Sequence, residues 1–259
     1  MKIFLTGGSG FLGSNFIKKI PKKYIVYAIT RKKNDLSQHA LNKNINWIKG
    51  NLTDEYEVLK GSDILIHFAA YGASPPNASL KKAININVNQ SLNLFEQAVA
   101  KGVKKFIVIG SSQEYGNSLQ KGSLTSVKTK LNPVNNYAIS KKNAFEEIKK
   151  LCKKKGLLVT YLRVFNAYGI NQNKKSLYGQ ICIASKNGKN LIINNRNHII
   201  DISPVDMISK KIVKFLKFEE NINGKIKVIN IGSDSVVTIK DFAETQWKIL
   251  KSKGSLIYE

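Results

Sequence analysis

Tyr137 and Lys141, in the stretch "NNYAISKKN" (135–143), stand four residues apart. On a helix that spacing puts both side chains on one face, about 5 to 6 Å apart at Cβ. A phenol titrates near pKa ~10 in water. A neighbouring ammonium favours the phenolate and brings the group toward the range in which it exchanges protons at neutral pH. The pair alone is weak evidence, because a chain with 42 Lys and Arg residues will carry a Tyr and a Lys at this interval by chance.

A second group of residues changes its weight. "TGGSGFLGS" (6–14) sets Gly7, Gly10 and Gly13 three apart, between the apolar run "KIFLT" and the amphipathic run "FLGSNFIKKI". At a strand-to-helix junction such glycines give a tight turn, a close approach of backbone to a pyrophosphate and close helix–strand packing. The chemistry they suggest is dinucleotide binding. An acid at the end of the second strand would hold the ribose 2′-hydroxyl of NAD. Here "YIVYAIT" runs into Arg31, Lys32 and Lys33, with no acid until Asp35. Cations there favour the 2′-phosphate of NADP, with NAD as the alternative.

These residues need a scaffold, and the remaining pattern supplies one. Short apolar runs "YIVYAIT", "INWIK", "DILIHFAA", "KFIVIGS" and "LVTYLRVF" recur, with helical patterns between most of them. Strands of this kind alternating with helices imply βαβ units and a parallel sheet covered on both faces. The fold class is α/β, a doubly wound parallel sheet over residues 1–165, with a smaller mixed region over 166–259. "YGASPPNAS" reads as a Pro-containing turn entering a long helix.

Composition narrows the function classes. The formal charge is +25, but only three residues are arginine and the lysines run along the whole chain. We read this as compositional bias rather than a nucleic-acid site, although a basic surface still attracts polyanionic ligands. Cys152 and Cys182 are too few for a disulfide framework or a zinc site, so no metal is expected. No apolar run approaches the ~20 residues of a membrane span, and the N-terminus has no room for a signal segment. The expectation is a cytoplasmic protein without membrane or nucleic-acid partners.

Taken in order, "GGSGFLG", "HFAA", "NVNQSLNLFEQA", "GSSQEYG", "YAISK" and "RVFNAYG" resemble the extended short-chain dehydrogenase/reductase family, the NAD(P)-dependent nucleotide-sugar epimerases, dehydratases and reductases. The resemblance implies a Rossmann sheet, a C-terminal substrate-binding region, a nucleotide-sugar substrate and a homodimer formed through the Tyr137 helix and the helix before it. It implies Tyr137 as general acid or base, Lys141 as the group that holds the nicotinamide ribose and lowers the tyrosine pKa, and Ser111 as the hydroxyl on the reacting oxygen, with Ser112 second. Cofactor contacts are implied at Gly7, Gly10, Phe11, Leu12, Gly13, Arg31, Asn51, Leu52, Ala69 and Ala70, and at Asn87, which orients the lysine. His67 lies beside the cofactor in a packing role. Asn166 is implied at the substrate diphosphate.

The chain departs from the family in three places. The first is length: it stops at "GSLIYE", where the family continues for several tens of residues, so the 166–259 region is expected to be reduced or truncated. Where dehydratases place acids before the tyrosine of the serine motif, this chain has Ser112 and Gln113. That argues for a reductase of a 4-keto-6-deoxy nucleotide sugar, with a C4 epimerase holding tightly bound NAD as the alternative and a non-catalytic dinucleotide- or RNA-binding member as a third. Near "HIIDISPVD", Ile200 stands where the family has arginine, and Arg196, Lys174 or Lys175 would have to meet the substrate phosphates instead.

Overall fold

The computed structural model describes residues 1–31, 44–73, 79–119, 124–217 and 223–259. Lys32, Lys33 and Asp35, and most of the Pro-containing turn, lie outside the described residues.

The chain opens with β1 (Lys2–Thr6), α1 (Phe11–Ile17), β2 (Ile25–Thr30), β3 (Ile45–Lys49) and β4 (Ile64–His67). A helical stretch follows in three parts: α2 (Leu80–Ile84), a π-helical turn (Asn85–Gln90) and α3 (Ser91–Ala100). Then come β5 (Lys105–Ser111), α4 (Asn136–Lys155), β6 (Leu158–Val164) and β7 (Asn166–Tyr168). The rest comprises α5 (Leu177–Lys186), β8 (Leu191–Ile193), β9 (Ile199–Ile200), β10 (Ile202–Pro204), α6 (Val205–Lys214), β11 (Ile226–Ile231), β12 (Val237–Thr238), α7 (Ile239–Ile249) and β13 (Leu256–Tyr258).

Seven strands form one sheet in the order β11-β6-β5-β4-β1-β2-β3, every pair parallel. Successive side chains of a strand point to opposite faces, and the sheet's two cores follow that rule. From β5, Phe106 and Val108 enter one core with Phe95, Phe145 and Ile148 of the helices on that face. Ile107 and Ile109 enter the other, with Phe16 of α1 and Ile208 and Ile212 of α6. Burial on both faces is why the strands read as continuous apolar runs. Truncating Phe106, which is 2% exposed, would cost about 3–5 kcal/mol. The chain leaves β1 toward β2 and β3, then returns to β4 on the other side, so the sheet reverses direction between β1 and β4. Ligands of open α/β sheets bind at such a reversal, beyond the carboxyl ends of the strands.

The sheet does not respect the expected boundary at residue 165. β11, from the later region, pairs with β6 from Ile226↔Val159 to Ile231↔Val164, so this apolar strand covers an edge that β6 would otherwise expose. The smaller unit has its own core of Ile181, Ile193, Phe242 and Ala243, with Tyr168 and Trp247 against it.

Candidate active site

The glycine loop sits at the reversal. Gly7 has φ 70, and a Cβ there would lie 2.5 Å from the Ala69 nitrogen beyond β4. A Cβ on Gly13 would collide with the Gly7 carbonyl, so the loop and α1 approach as closely as glycine allows. Gly10 donates to the Gly7 carbonyl at 3.0 Å, and α1 begins with no side-chain cap, leaving its first amides available to an anion. In front lies a cavity of ≈ 440 Å³ lined by Gly7, Ser9, Gly10, Ile29, Thr30, Arg31, Gly50, Asn51, Leu52, Phe68, Ala69, Ala70, Tyr71, Ile86 and Gln90. Its glycine floor, apolar walls and exposed cation suit a dinucleotide.

Gly7, Gly10, Arg31, Asn51, Leu52, Ala69 and Ala70, at which the resemblance implies cofactor contacts, line this cavity. Phe11, Leu12, Gly13 and Asn87 do not. Leu12 packs on the core, Gly13 backs onto Gly7, and the Phe11 carbonyl accepts from Asn15 Nδ2 at 2.9 Å. Ser9, Ile29, Thr30, Gly50, Phe68, Tyr71, Ile86 and Gln90 line it as well, although they are not among the expected contacts; Ser9, Phe68 and Gln90 lie within the quoted motifs. Tyr71 directly follows "HFAA", whereas Ile86 and Gln90 belong to the π-helical turn.

His67 ties two walls of this cavity together. Ala69 N–H donates to Thr6 Oγ1 at 3.2 Å, and Thr6 Oγ1 lies 2.8 Å from His67 Nδ1. On the other side Ser91 Oγ lies 3.1 Å from His67 Nε2 and donates to the Ile86 carbonyl at 3.0 Å. Burial, then the Lys141 charge, push the imidazole down to about 3. A neutral ring with its proton on Nε2 satisfies all four bonds.

One strand along, β5 ends at Ser111 and α4 begins at Asn136. Asn135 caps α4 by accepting from Ala138 N–H at 2.8 Å, and Gly156 ends the helix in the left-handed region. Tyr137 and Lys141 thus stand on its first turns. Tyr137 is half-buried and has the Ser111 side chain beside it, whose hydroxyl accepts from Gln113 N–H at 3.2 Å. Burial and then the Glu114 charge hold the phenol above its ordinary value, while the Ser111 side chain lowers it. Lys141 is 3% exposed, donates to the Ile109 carbonyl at 2.6 Å, and is pushed down to about 8 by burial against a smaller opposing pull from Glu114. The expectation that Lys141 lowers the Tyr137 pKa is not met in this state, because burial governs the phenol and the ammonium is turned to the β5 backbone.

Asn87 also differs from expectation. It accepts from Tyr71 N–H at 2.7 Å, donates to the Tyr71 carbonyl at 2.9 Å and donates to Ser140 Oγ at 2.8 Å. It orients the residue before Lys141 rather than the lysine itself. Ser112 is buried, 5% exposed, and Ser111 carries the phenol contact. Asn166 is exposed and donates to the Asp201 carbonyl at 3.0 Å. Arg196 lines a second cavity, with the rest of 195–198, Tyr258 and Glu259. Its carbonyl accepts from Lys240 N–H at 3.0 Å, which fixes that turn against the start of α7. Lys174 and Lys175 are exposed ahead of α5.

The model of the NAD dependent epimerase/dehydratase family matches residues 3–232. The chain belongs to this family. Among curated members it is 29% identical over 280 residues to the dTDP-D-glucose 4,6-dehydratase of Dictyostelium discoideum, covering 94% of this chain and 61% of that one. It is 28% identical over 177 residues to the UDP-glucose 4-epimerase of Vibrio cholerae, covering 64% and 52%. The chain therefore spans half to two thirds of the length of these two relatives. A UDP-N-acetylglucosamine 4-epimerase from Methanobrevibacter ruminantium, solved with UDP-N-acetylmuramic acid, superimposes with TM-score 0.88 at 26% identity over 100% of this chain and 84% of that one. The UDP-glucuronic acid 4-epimerase of Bacillus cereus, solved with UDP-glucuronic acid and NAD, shares the fold with TM-score 0.86 at 23% identity, over 100% and 86%. Within the family frame, no group of three or more potential metal ligands occurs among the described residues, and no described helix is long and apolar enough to cross a membrane.

Proposed function

We propose that this chain is an NAD(P)-dependent nucleotide-sugar enzyme that carries C4 of the sugar between alcohol and ketone, and that the net reaction is epimerisation at C4. The observation that carries this is the Tyr137 phenol beside Ser111 at the end of β5, next to a cavity at the end of β4 whose glycine loop suits a dinucleotide. The bound dinucleotide supplies a hydride acceptor and donor. Tyr137 takes the proton of the C4 hydroxyl in one half-reaction and returns it to the oxygen in the other. Ser111 holds that oxygen in line with the phenol, and Lys141 supplies a cation in a site where burial strengthens its field. 4-Epimerases among the similar structures and among the curated relatives support the direction.

Two features favour a second reading, reduction of a 4-keto sugar by NADPH. Arg31 lines the cavity with no acid among the described residues at the end of β2, and the phenol is held protonated, the state that donates to a carbonyl oxygen. Purified protein is incubated with UDP- and dTDP-hexoses, and C4 epimers are followed by proton NMR. In parallel, 4-keto-6-deoxy sugars are offered with NADPH. Absence of both products would refute C4 chemistry, and consumption of NADPH without epimerisation would establish the second reading over the first.

A further inference from the structure

Beneath the Ser111–Tyr137 contact lies a carboxylate that the proton transfer does not use. Glu114 is 0% exposed. Its Oε1 accepts from Ser111 N–H at 2.8 Å and from the Tyr161 hydroxyl at 2.9 Å, and its Oε2 accepts from Arg163 Nε at 2.9 Å. Arg163, 2% exposed, stacks over Phe145 at 4.7 Å and Tyr115 at 4.9 Å. It also donates to the Tyr115 hydroxyl at 3.1 Å. That hydroxyl donates to Asn230 Oδ1 at 2.7 Å, and Asn230 Nδ2 donates to the Thr125 carbonyl at 2.6 Å. Gly110 is shaped for the pair, since a Cβ there would lie 2.8 Å from Glu114 Oε1.

A buried ion pair is weak evidence for stability, because desolvation offsets its attraction and an apolar pair of similar volume often serves as well. This pair has a specific geometric consequence instead. Among the described residues the Ser111 amide is the main-chain group that the carboxylate binds, and Ser111 bears the hydroxyl that lies beside the phenol. We infer that Glu114, held by Arg163 and Tyr161, is a positioning residue that fixes the end of β5 so that the Ser111 hydroxyl is presented to Tyr137. The inference deepens the C4 reading and rests on it for its kinetic consequence, but the positioning is measurable without a substrate. Glu114 itself has no open site for a substrate proton.

Two variants test it. Glu114→Leu/Arg163→Met replaces the ion pair by apolar side chains and removes the acceptor of the Ser111 amide. Amide exchange at Ser111 is expected to quicken about tenfold, as for loss of one hydrogen bond, while exchange at Ile107 and Val108 stays as in the wild type. On a confirmed sugar substrate, kcat should fall by on the order of 10- to 10²-fold with KM little changed. Unchanged Ser111 exchange would overturn the inference, as would wild-type kcat. Glu114→Gln keeps an acceptor for Ser111 but removes the charge. Ser111 protection should persist and the Tyr137 phenol, followed in 13C-tyrosine-labelled protein and assigned with Tyr137→Phe, should titrate at lower pH. The charged and titratable groups near that phenol are Lys141 on its own helix, Glu114 beyond β5, and Tyr161 and Arg163 on β6; only Glu114 changes in this variant. An unmoved phenol would show that the carboxylate does not act on this site. Should the wild type turn over no nucleotide sugar, the proposed function falls while the exchange and titration results still decide the positioning role.

Discussion

Asn87 Nδ2 donates to Ser140 Oγ at 2.8 Å, and Ser140 in turn donates to the Tyr137 carbonyl at 2.7 Å. Through these bonds the π-helical turn beside the dinucleotide cavity grips the helix that carries Tyr137 and Lys141. Single π turns occur often at functional sites, and here the turn lets one asparagine serve Tyr71 and Ser140 together. Asn87→Leu would leave the Tyr71 amide and carbonyl and the Ser140 hydroxyl without this partner in a site where Asn87 is 3% exposed. An unfolding free energy lower by roughly 1–3 kcal/mol or more is expected, together with weaker dinucleotide binding because Tyr71 and Ile86 line the cavity. Urea denaturation and a dinucleotide titration check the two effects.

Tyr137→Phe keeps the ring and removes the proton. Turnover is expected to fall by about 10²- to 10⁴-fold. Dinucleotide affinity should stay within about twofold, since Tyr137 does not line the cavity. Steady-state kinetics with equilibrium binding on the same preparations tests this, and near-normal turnover would remove Tyr137 from the chemistry.

Lys141 makes stability depend on pH in a particular direction. Its folded-state pKa is about 8, lowered by burial, against about 10.4 for a free lysine. Between those values the unfolded chain binds more protons, so stability rises with pH through that window and the cost is fully present below pH 8. The window is worth roughly 3 kcal/mol as an order of magnitude. Compared between pH 8 and 9, below the range in which phenols ionise, Lys141→Met should lack the rise seen in the wild type. Parallel slopes in urea denaturation across that range would show that the ammonium is not desolvated in the folded chain.

The readable part of this protein was what sequence spacing encodes. The glycine loop announces itself because close backbone approach tolerates no Cβ at Gly7 or Gly13, and Tyr137 and Lys141 because a helix converts four residues into one face. The Glu114–Arg163 pair was not readable. Its members lie 49 residues apart and meet only through the register that sets Gly110 against Arg163 in neighbouring strands. The same is true of β11, an apolar run whose place beside β6 depends on which sheet edge is left open. Arg196 lines a different cavity from the glycine loop, a placement that charge in a sequence does not reveal.

Arg31 bears on the choice between dinucleotides. It is exposed at the cavity rim, so its attraction for a phosphate is partly screened and about 1 kcal/mol in scale. Arg31→Asp should weaken NADP binding by about tenfold or more, since a repulsion replaces an attraction, while NAD binding changes by less than about threefold. The NADP effect should shrink at high salt. Fluorescence titrations at two ionic strengths check both, and equal effects on the two dinucleotides would mean that Arg31 does not meet the 2′ position.

The Dictyostelium discoideum relative by name removes water from its sugar, and the serine motif says why this chain should not. Elimination requires one group to take a proton from the carbon next to the ketone and another to protonate the departing hydroxyl, which calls for titratable side chains around the oxidised sugar. Gln113 does not titrate, so it is no general acid or base, and Ser112 is buried with only a hydroxyl to offer. Glu114 is the one carboxylate of the motif, and its oxygens are taken by Ser111 N–H, the Tyr161 hydroxyl and Arg163 Nε. Releasing it would leave the Arg163 guanidinium buried and unpaired, at a cost of about 3–5 kcal/mol, so the carboxylate is not free to swing to a substrate. Incubation with dTDP-glucose, UDP-glucose, GDP-mannose and UDP-N-acetylglucosamine should therefore give no product lighter by one water in mass spectrometry. Appearance of that product at catalytic rates would mean that another group performs the elimination, and Glu114→Gln would then separate the cases, since loss of the product would return the role to Glu114.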